Sequence, residues 1–228
     1  MYHPTMRRRA LGLGLLATLL LLALSACGGA GGSAQEEAEA RPLPEDPKAL
    51  RPGEYRSTEF KPAFSFTVGK GWRTSSQFPQ VSDKLAITRG EYDPPRLLIF
   101  RDIQEVFNYT KNGTTPEVVK APNNMVGWFE HHPYLKTEKS ESVTVGGVKG
   151  VQVDYIVSED APYEEITLFR YTDGSDGSAG KGFKYRAIIL EDVEGKMVTI
   201  GIGSLTSEFD DFLPEAQKVV DSVKWGGS

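Results

Sequence analysis

Hydrophobic and polar side chains alternate over most of the C-terminal part of the chain, and this period of two predicts β-strands. The clearest example is the segment 143–157, where valines alternate with polar residues on either side of Gly146-Gly147. Glycines at this point permit the positive φ that a tight hairpin turn requires. The polar segments 108–122 and 173–182 are predicted as loops. The other predicted strands are 64–68, 85–87, 97–100, 166–172, 183–190 and 197–202, of which 97–100 is expected to be buried on both faces.

Two segments have the apolar spacing of amphipathic helices. A short helix is predicted after Asn123, which we expect to be its N-cap. A longer helix is predicted in 209–223, with Pro214 in its first turn and Asp210 or Asp211 as its cap. Together the elements predict an α+β fold, an antiparallel sheet of about seven strands with helices packed on it.

The first 26 residues have the organisation of a signal peptide. Three arginines at 7–9 precede an apolar run at 10–26, and Met1 or Met6 is the start. The run is at the short limit for spanning a bilayer and no basic flank follows it, so we expect it to be cleaved.

The apolar run ends in Leu24-Ser25-Ala26-Cys27-Gly28, which resembles the bacterial lipobox. The resemblance implies cleavage before Cys27, a diacylglycerol on its sulfur and fatty acyl chains such as palmitate. Cys27 is the single cysteine of the chain, so no internal disulfide is possible. Two or three acyl chains give stable anchoring, and the protein is predicted at the outer face of the cell membrane.

Composition divides the remainder into a tether and a domain. Residues 27–53 are rich in Gly, Ala, Glu and Pro, which predicts a lipidated N-terminus followed by a flexible tether. Residues 54–228 are predicted to form one folded domain. The full chain has a net charge of −5, and three of its 26 basic residues lie in the leader, so the domain is more acidic still. This balance argues against nucleic-acid binding, which depends on basic surfaces.

Candidate active-site patterns fail on their spacing. His131 and His132 are adjacent, so on a helix they point in different directions and do not form a metal site. The segment around Ser204 lacks the Gly-x-Ser-x-Gly pattern of a nucleophile elbow, and 173–182 lacks the pattern of a phosphate or calcium loop. Paired acids such as Glu164-Glu165 are expected on the surface. We therefore predict no catalytic residue, metal or cofactor.

Four motifs together resemble a known family. They are FSFTVGKGW, WFEHHPYL, SVTVGGVKGVQVDYIV and FDDFLPEAQKVVDSVKW. In this order they resemble secreted actinobacterial lipoproteins with a PsbP-like domain, including the LpqN type, over residues 55–225. The resemblance implies an α/β/α-like sandwich and a non-catalytic accessory or protein-binding role. It assigns no functional residue.

Two functions are therefore expected of the tethered domain. The first is protein binding at the cell envelope through a sheet face or the segments 108–122 and 173–182. The alternative is a carrier of an apolar or glycolipid ligand in a cleft between sheet and helices. An enzyme of unrecognised type would need ionisable groups that converge in such a cleft. Trp72 and Trp128 are expected in the core, and Trp225 has no predicted role.

Overall fold

The computed structural model describes residues 39–45, 47–74, 79–90, 96–171 and 173–226. The predicted signal peptide, Cys27 and the first part of the tether lie outside these residues. Within them, no helix is long and apolar enough to cross a membrane.

A central antiparallel sheet of eight strands organises the fold. Long strands form its middle, and their central residues are buried without interruption because the side chains on both faces pack against other elements. In spatial order its strands are Glu141–Val145 (β10), Val148–Val157 (β11), Phe183–Val193 (β14), Lys196–Leu205 (β15), Arg96–Arg101 (β6), Lys84–Arg89 (β5) and Trp72–Thr74 (β4), and Leu135–Thr137 (β9) pairs with β11.

Two four-stranded sheets accompany the central sheet. The first small sheet contains Arg41–Pro42 (β1), Gly53–Arg56 (β2), Phe64–Val68 (β3) and Lys224–Trp225 (β16), of which β1 pairs with β2 in parallel. The second small sheet contains, in spatial order, Asp176–Gly180 (β13), Glu165–Arg170 (β12), Glu105–Asn108 (β7) and Glu117–Lys120 (β8). The two helices among the described residues are Met125–His131 (α1) and Phe209–Asp221 (α2).

The two faces of the central sheet belong to separate apolar cores. Ile188 and Leu190 of β14 pack in the first core, together with the first small sheet and α2. Ala187 and Ile189 of the same strand pack in the other cluster with the second small sheet and α1. Alternation along one strand therefore supplies both cores.

The prediction of antiparallel sheet with helices is confirmed, but the fold is more dominated by sheet than an α/β/α sandwich implies. Residues 108–122 and 173–182, predicted as loops, contain the edge strands β8 and β13. Backbone pairing with β7 and β12 makes these polar segments strands even though they bury few apolar side chains.

Both helix starts differ from the prediction. The N-cap of α1 is Asn124, whose side chain accepts a hydrogen bond from Gly127 N–H at 2.9 Å, and not Asn123. Helix α2 begins at Phe209 after Glu208, so Asp210 and Asp211 lie in its first turn and Pro214 lies beyond it. The helix starts earlier because Phe209 is itself buried in the core.

The folded part also starts earlier than the predicted boundary at residue 54. Arg41–Pro42 pairs with β2, and Leu43 and Leu50 are buried in the first core. The described residues from Glu39 onward belong to one compact unit. The segment 39–53, predicted as tether, is therefore part of the domain.

Candidate functional site

A cleft of about 310 Å³ opens between one face of the central sheet and the edge strand β13. Its floor comes from β5, β6, β14 and β15, and its wall comes from the second small sheet. The lining is partly aromatic and contains two basic side chains. The lining residues are Lys84, Leu97, Ile99, Arg101, Glu165, Tyr171, Ser175, Asp176, Gly177, Ser178, Gly180, Phe183, Tyr185 and Gly203.

Two glycines of β15 make room on this face of the sheet. A Cβ at Gly203 would lie 2.7 Å from the ring of Tyr185 on the neighbouring strand. A Cβ at Gly201, two residues earlier on the same face, would overlap the guanidinium of Arg101. Large side chains from β14 and β6 therefore lie across the β15 backbone, where any other residue would exclude them.

The two basic residues face each other across neighbouring strands. Lys84 of β5 and Arg101 of β6 are directly paired in the antiparallel register, so their side chains share one face. Lys84 is 5% exposed and Arg101 is 7% exposed. Two like charges at such a pair of buried positions repel each other and are costly to desolvate.

Lys84 is neutralised by the segment that precedes β13. Its Nζ lies 3.3 Å from Asp173 Oδ2 and donates to Ser175 Oγ at 2.7 Å. The hydrogen bonds that Ser175 donates to Asp173 hold the pKa of this carboxyl below its usual range, and Lys84 lowers it further. Asp173 is therefore charged at neutral pH and balances Lys84.

Arg101 has no such partner. Among the described residues, no ion pair involves its guanidinium, and its Nε has no hydrogen-bond partner. The guanidinium lies 4.7 Å from the ring centre of Phe169, a cation–π contact. The hydroxyls of Tyr155 and Tyr171 are near it as well, since Arg101 lowers the pKa of both.

The phenols around the cleft stay protonated at neutral pH. Burial raises the pKa of Tyr155 and Tyr171 by more than Arg101 lowers it. Burial likewise raises the pKa of Tyr185 to about 12, and its hydroxyl accepts a hydrogen bond from Gly180 N–H at 2.9 Å. The cleft thus presents hydrogen-bond donors and one unpaired cation within apolar surroundings.

The predicted sites do not coincide with the cleft, except at residues 173–182. Cys27, the predicted lipid attachment site, lies outside the described residues. The cleft lies between two sheets, and not between sheet and helices as expected for a carrier. Both faces of the central sheet are occupied by apolar cores, so neither is free as a flat docking surface.

The two adjacent histidines have separate environments. His131 is exposed, whereas His132 is buried among the rings of Tyr109, Trp128 and Tyr134. Burial lowers the pKa of His132 to about 4. Nowhere in the described part of the chain do three or more His, Cys, Asp or Glu side chains group in a way that could hold a metal ion.

Sequence reasoning missed Lys84 and Arg101, although the strand pattern contains a signal. Leu97, Ile99 and Arg101 share one face by the period of two, and the run 97–100 was expected to be buried on both faces. If the strand extends to residue 101, the same period of two predicts that Arg101 is buried beside Leu97 and Ile99. Nothing local in the sequence shows that Lys84 pairs opposite it.

Comparisons with known proteins give only weak similarities. No protein-family model matches the chain, and no curated protein sequence matches it. The solved structure of LpqN, described as involved in cell envelope biogenesis of Mycobacterium tuberculosis, aligns with 12% identity and a TM-score of 0.39 over 80% of this chain and 90% of that chain. Cyanobacterial PsbP from Synechocystis aligns with 12% identity and a TM-score of 0.40 over 78% and 95%. At these values neither bears on function, and membership in the lipoprotein family stays a prediction.

Proposed function

We propose that the protein is a non-catalytic binding protein of the cell envelope, tethered to the outer face of the membrane, whose domain holds a small apolar ligand in the cleft. The observation that carries this proposal is the cleft itself, about 310 Å³ with aromatic and aliphatic walls. That volume lies at the lower end of the range for small-molecule sites.

The tethered location rests on the N-terminal sequence. The leader of residues 1–26 and the lipobox-like segment that ends at Cys27 support export followed by acylation. An acidic domain gains little from anionic headgroups, so the lipid on Cys27 would supply the attachment.

Ligand binding is preferred to protein docking because of the way the sheets are covered. Both faces of the central sheet pack against other elements, so in the described part of the chain this sheet offers no broad apolar face to a partner protein. Exposed large hydrophobic residues among those described are scattered, at Val118, Ile156 and Tyr163. Isolated residues of this kind do not form a docking patch.

A cleft-filling variant tests ligand binding. Leu97 lies on the cleft floor opposite Gly203, so Leu97→Trp should place an indole in the space that a ligand would use. Val118→Trp adds the same group at an exposed position of β8, outside the cleft lining. We expect native mass spectrometry of the membrane-extracted protein to detect a small molecule on the wild type and on Val118→Trp, and none on Leu97→Trp. Equal occupancy of all three, or an empty wild type, contradicts the proposal.

Anchoring is tested separately by Cys27→Ala. We expect the wild type in the membrane fraction, labelled by a fatty acid analogue, and the variant unlabelled and absent from the mature membrane-bound pool. An equally labelled variant would rule out acylation at this cysteine.

A further inference from the structure

We propose that the cleft binds a small monocarboxylate with an apolar body, and that the guanidinium of Arg101 holds the carboxylate. This inference rests on the proposed ligand-binding function and names the chemical class of the ligand. It is carried by a buried basic side chain that lines the cleft and forms no ion pair in the described structure.

Among the described residues, Arg101 is the one of the two basic side chains lining the cleft that forms no ion pair. Lys84 is balanced by Asp173 at 3.3 Å. Asp176, which also lines the cleft, pairs with Arg170 at 2.9 Å, and the lining residue Glu165 is exposed.

One further carboxylate lies near this face. Asp83 is buried and its charge raises the pKa of Tyr171, the same hydroxyl whose pKa Arg101 lowers. No ion pair joins Asp83 to Arg101 in the described part of the chain, and Asp83 has an interaction of its own. An anion that enters the cleft would therefore meet Arg101 as its nearest unpaired cation.

The surroundings of Arg101 suit a carboxylate. A guanidinium presents a planar fork of donors that matches the two oxygens of a carboxylate. The ring of Phe169, 4.7 Å from the guanidinium carbon, restricts its orientation. The protonated hydroxyl of Tyr171, which lines the cleft near the guanidinium, supplies an additional donor for the same anion.

The walls favour an apolar body with a single charge. Phe183 and Tyr185 stack with ring centres 6.1 Å apart, and Leu97 and Ile99 extend the apolar floor. A phosphate monoester would bring up to two negative charges, one more than the cleft can balance. A neutral sugar would leave the buried cation unpaired, which is costly in a low-dielectric site.

The test compares two ligands that differ only in charge. 3-Phenylpropanoate and 3-phenylpropan-1-ol share one apolar body, and each is titrated by calorimetry into the full chain in lipid nanodiscs, with empty nanodiscs as the blank. We expect the wild type to bind the acid at least tenfold more tightly than the alcohol. In Arg101→Met and Arg101→Gln we expect this ratio to fall to about one, with the affinity for the alcohol unchanged within about threefold.

The outcomes separate this inference from the proposed function. Equal affinity for acid and alcohol in the wild type, or a tenfold preference that persists in the Arg101 variants, overturns the carboxylate site while the apolar cleft stands. Displacement of the acid by equimolar inorganic phosphate also overturns it. Failure of both ligands to bind, or unchanged binding in Leu97→Trp, refutes the proposed function. Where one Arg101 variant does not fold, the other serves for the comparison, and equal wild-type affinity for acid and alcohol overturns the carboxylate site without either.

Discussion

Lys84 and Arg101 lie directly opposite each other on β5 and β6, with both charged side chains buried on the same face of the central sheet. A like-charge pair at such positions destabilises a sheet, and Asp173 compensates only Lys84. Local features that oppose stability are typical of functional sites. The pair therefore distinguishes the cleft from the ordinary core around it.

Removal of the unpaired charge tests this interpretation. We expect Arg101→Met to leave the free energy of unfolding unchanged or to raise it by up to about 2 kcal/mol, because an apolar side chain replaces an uncompensated buried cation. Denaturant titration measures the effect. Arg186 is the matched control, since it binds Asp154 in a bidentate ion pair at 2.7 and 2.9 Å.

We expect Arg186→Met to cost about 3 kcal/mol, because it leaves the carboxylate of Asp154 with only the more distant Lys184, whose Nζ lies 4.0 Å away. A loss of similar size in Arg101→Met would show that Arg101 is a structural residue of the core, contrary to our interpretation.

His132 should make stability depend on pH. Burial lowers its pKa from 6.5 to about 4, so the unfolded chain binds a proton that the folded chain excludes. The free energy of unfolding is therefore highest above pH 6.5, where His132 is neutral in both states. It decreases as the pH falls from 6.5 toward 4, because protonation then favours the unfolded chain. Between pH 7 and pH 5 we expect a loss of about 2 kcal/mol in the free energy of unfolding.

The pH effect is assigned with two asparagine variants. His132→Asn keeps an acceptor for Tyr134 N–H, which donates to Nδ1 at 3.2 Å, but cannot titrate. We expect the difference between pH 7 and pH 5 to shrink in His132→Asn and to persist in His131→Asn, whose ring is exposed. The same pH dependence in all three proteins would refute the assignment to His132.

Gly203 should tolerate no side chain without a change in the cleft. In Gly203→Ala the added methyl meets the ring of Tyr185 at 2.7 Å and displaces its hydroxyl from Gly180 N–H. We expect a loss of about 1–3 kcal/mol in thermal or denaturant unfolding. Gly69→Ala is the control, since a methyl there has nothing within 4 Å, and we expect a change of about 0.5 kcal/mol or less. Equal stability of the two variants would contradict the close packing at Gly203.

Trp225 closes the first core with both its ring and its indole N–H. The ring lies 5.2 Å from that of Phe64, and Nε1 donates to Val145 O at 3.0 Å. We expect Trp225→Phe to retain the packing and to cost about 1–2 kcal/mol through the unpaired carbonyl. Trp128→Phe removes a bond to Asn108 Oδ1 near the surface, so a smaller loss is expected. Equal losses would indicate that ring size, and not the hydrogen bond to Val145, determines the effect.

The sequence pattern correctly predicted the elements whose structure depends on neighbouring residues in the chain. The hairpin at Gly146-Gly147 is present, with φ of 55° and 82° at the two glycines, because the turn type depends on these residues alone. Trp72 is in the core as predicted, at 1% exposure. The last helix is amphipathic as expected, although it begins before the predicted cap.

Strands and sites that depend on contacts between residues far apart in the sequence could not be predicted from local patterns. The strand β13 has a loop-like composition and forms only because β12 lies beside it. Arg101 meets Phe169 and Lys84 meets Asp173 across long sequence separations, so no local spacing reports either contact. The cleft arises from the register of four strands, which the sequence does not display.

If Cys27 is acylated as proposed, the early start of the fold limits how far from the membrane the domain can act. With Arg41–Pro42 held in the first small sheet and the compact unit starting at Glu39, only residues 28–38 would separate an acylated Cys27 from the domain. Eleven residues reach at most about 40 Å when extended, and a coil of that length averages about 18 Å. A ligand would therefore be exchanged with the outer leaflet or the layer directly above it, and delivery over a longer distance would require a second carrier.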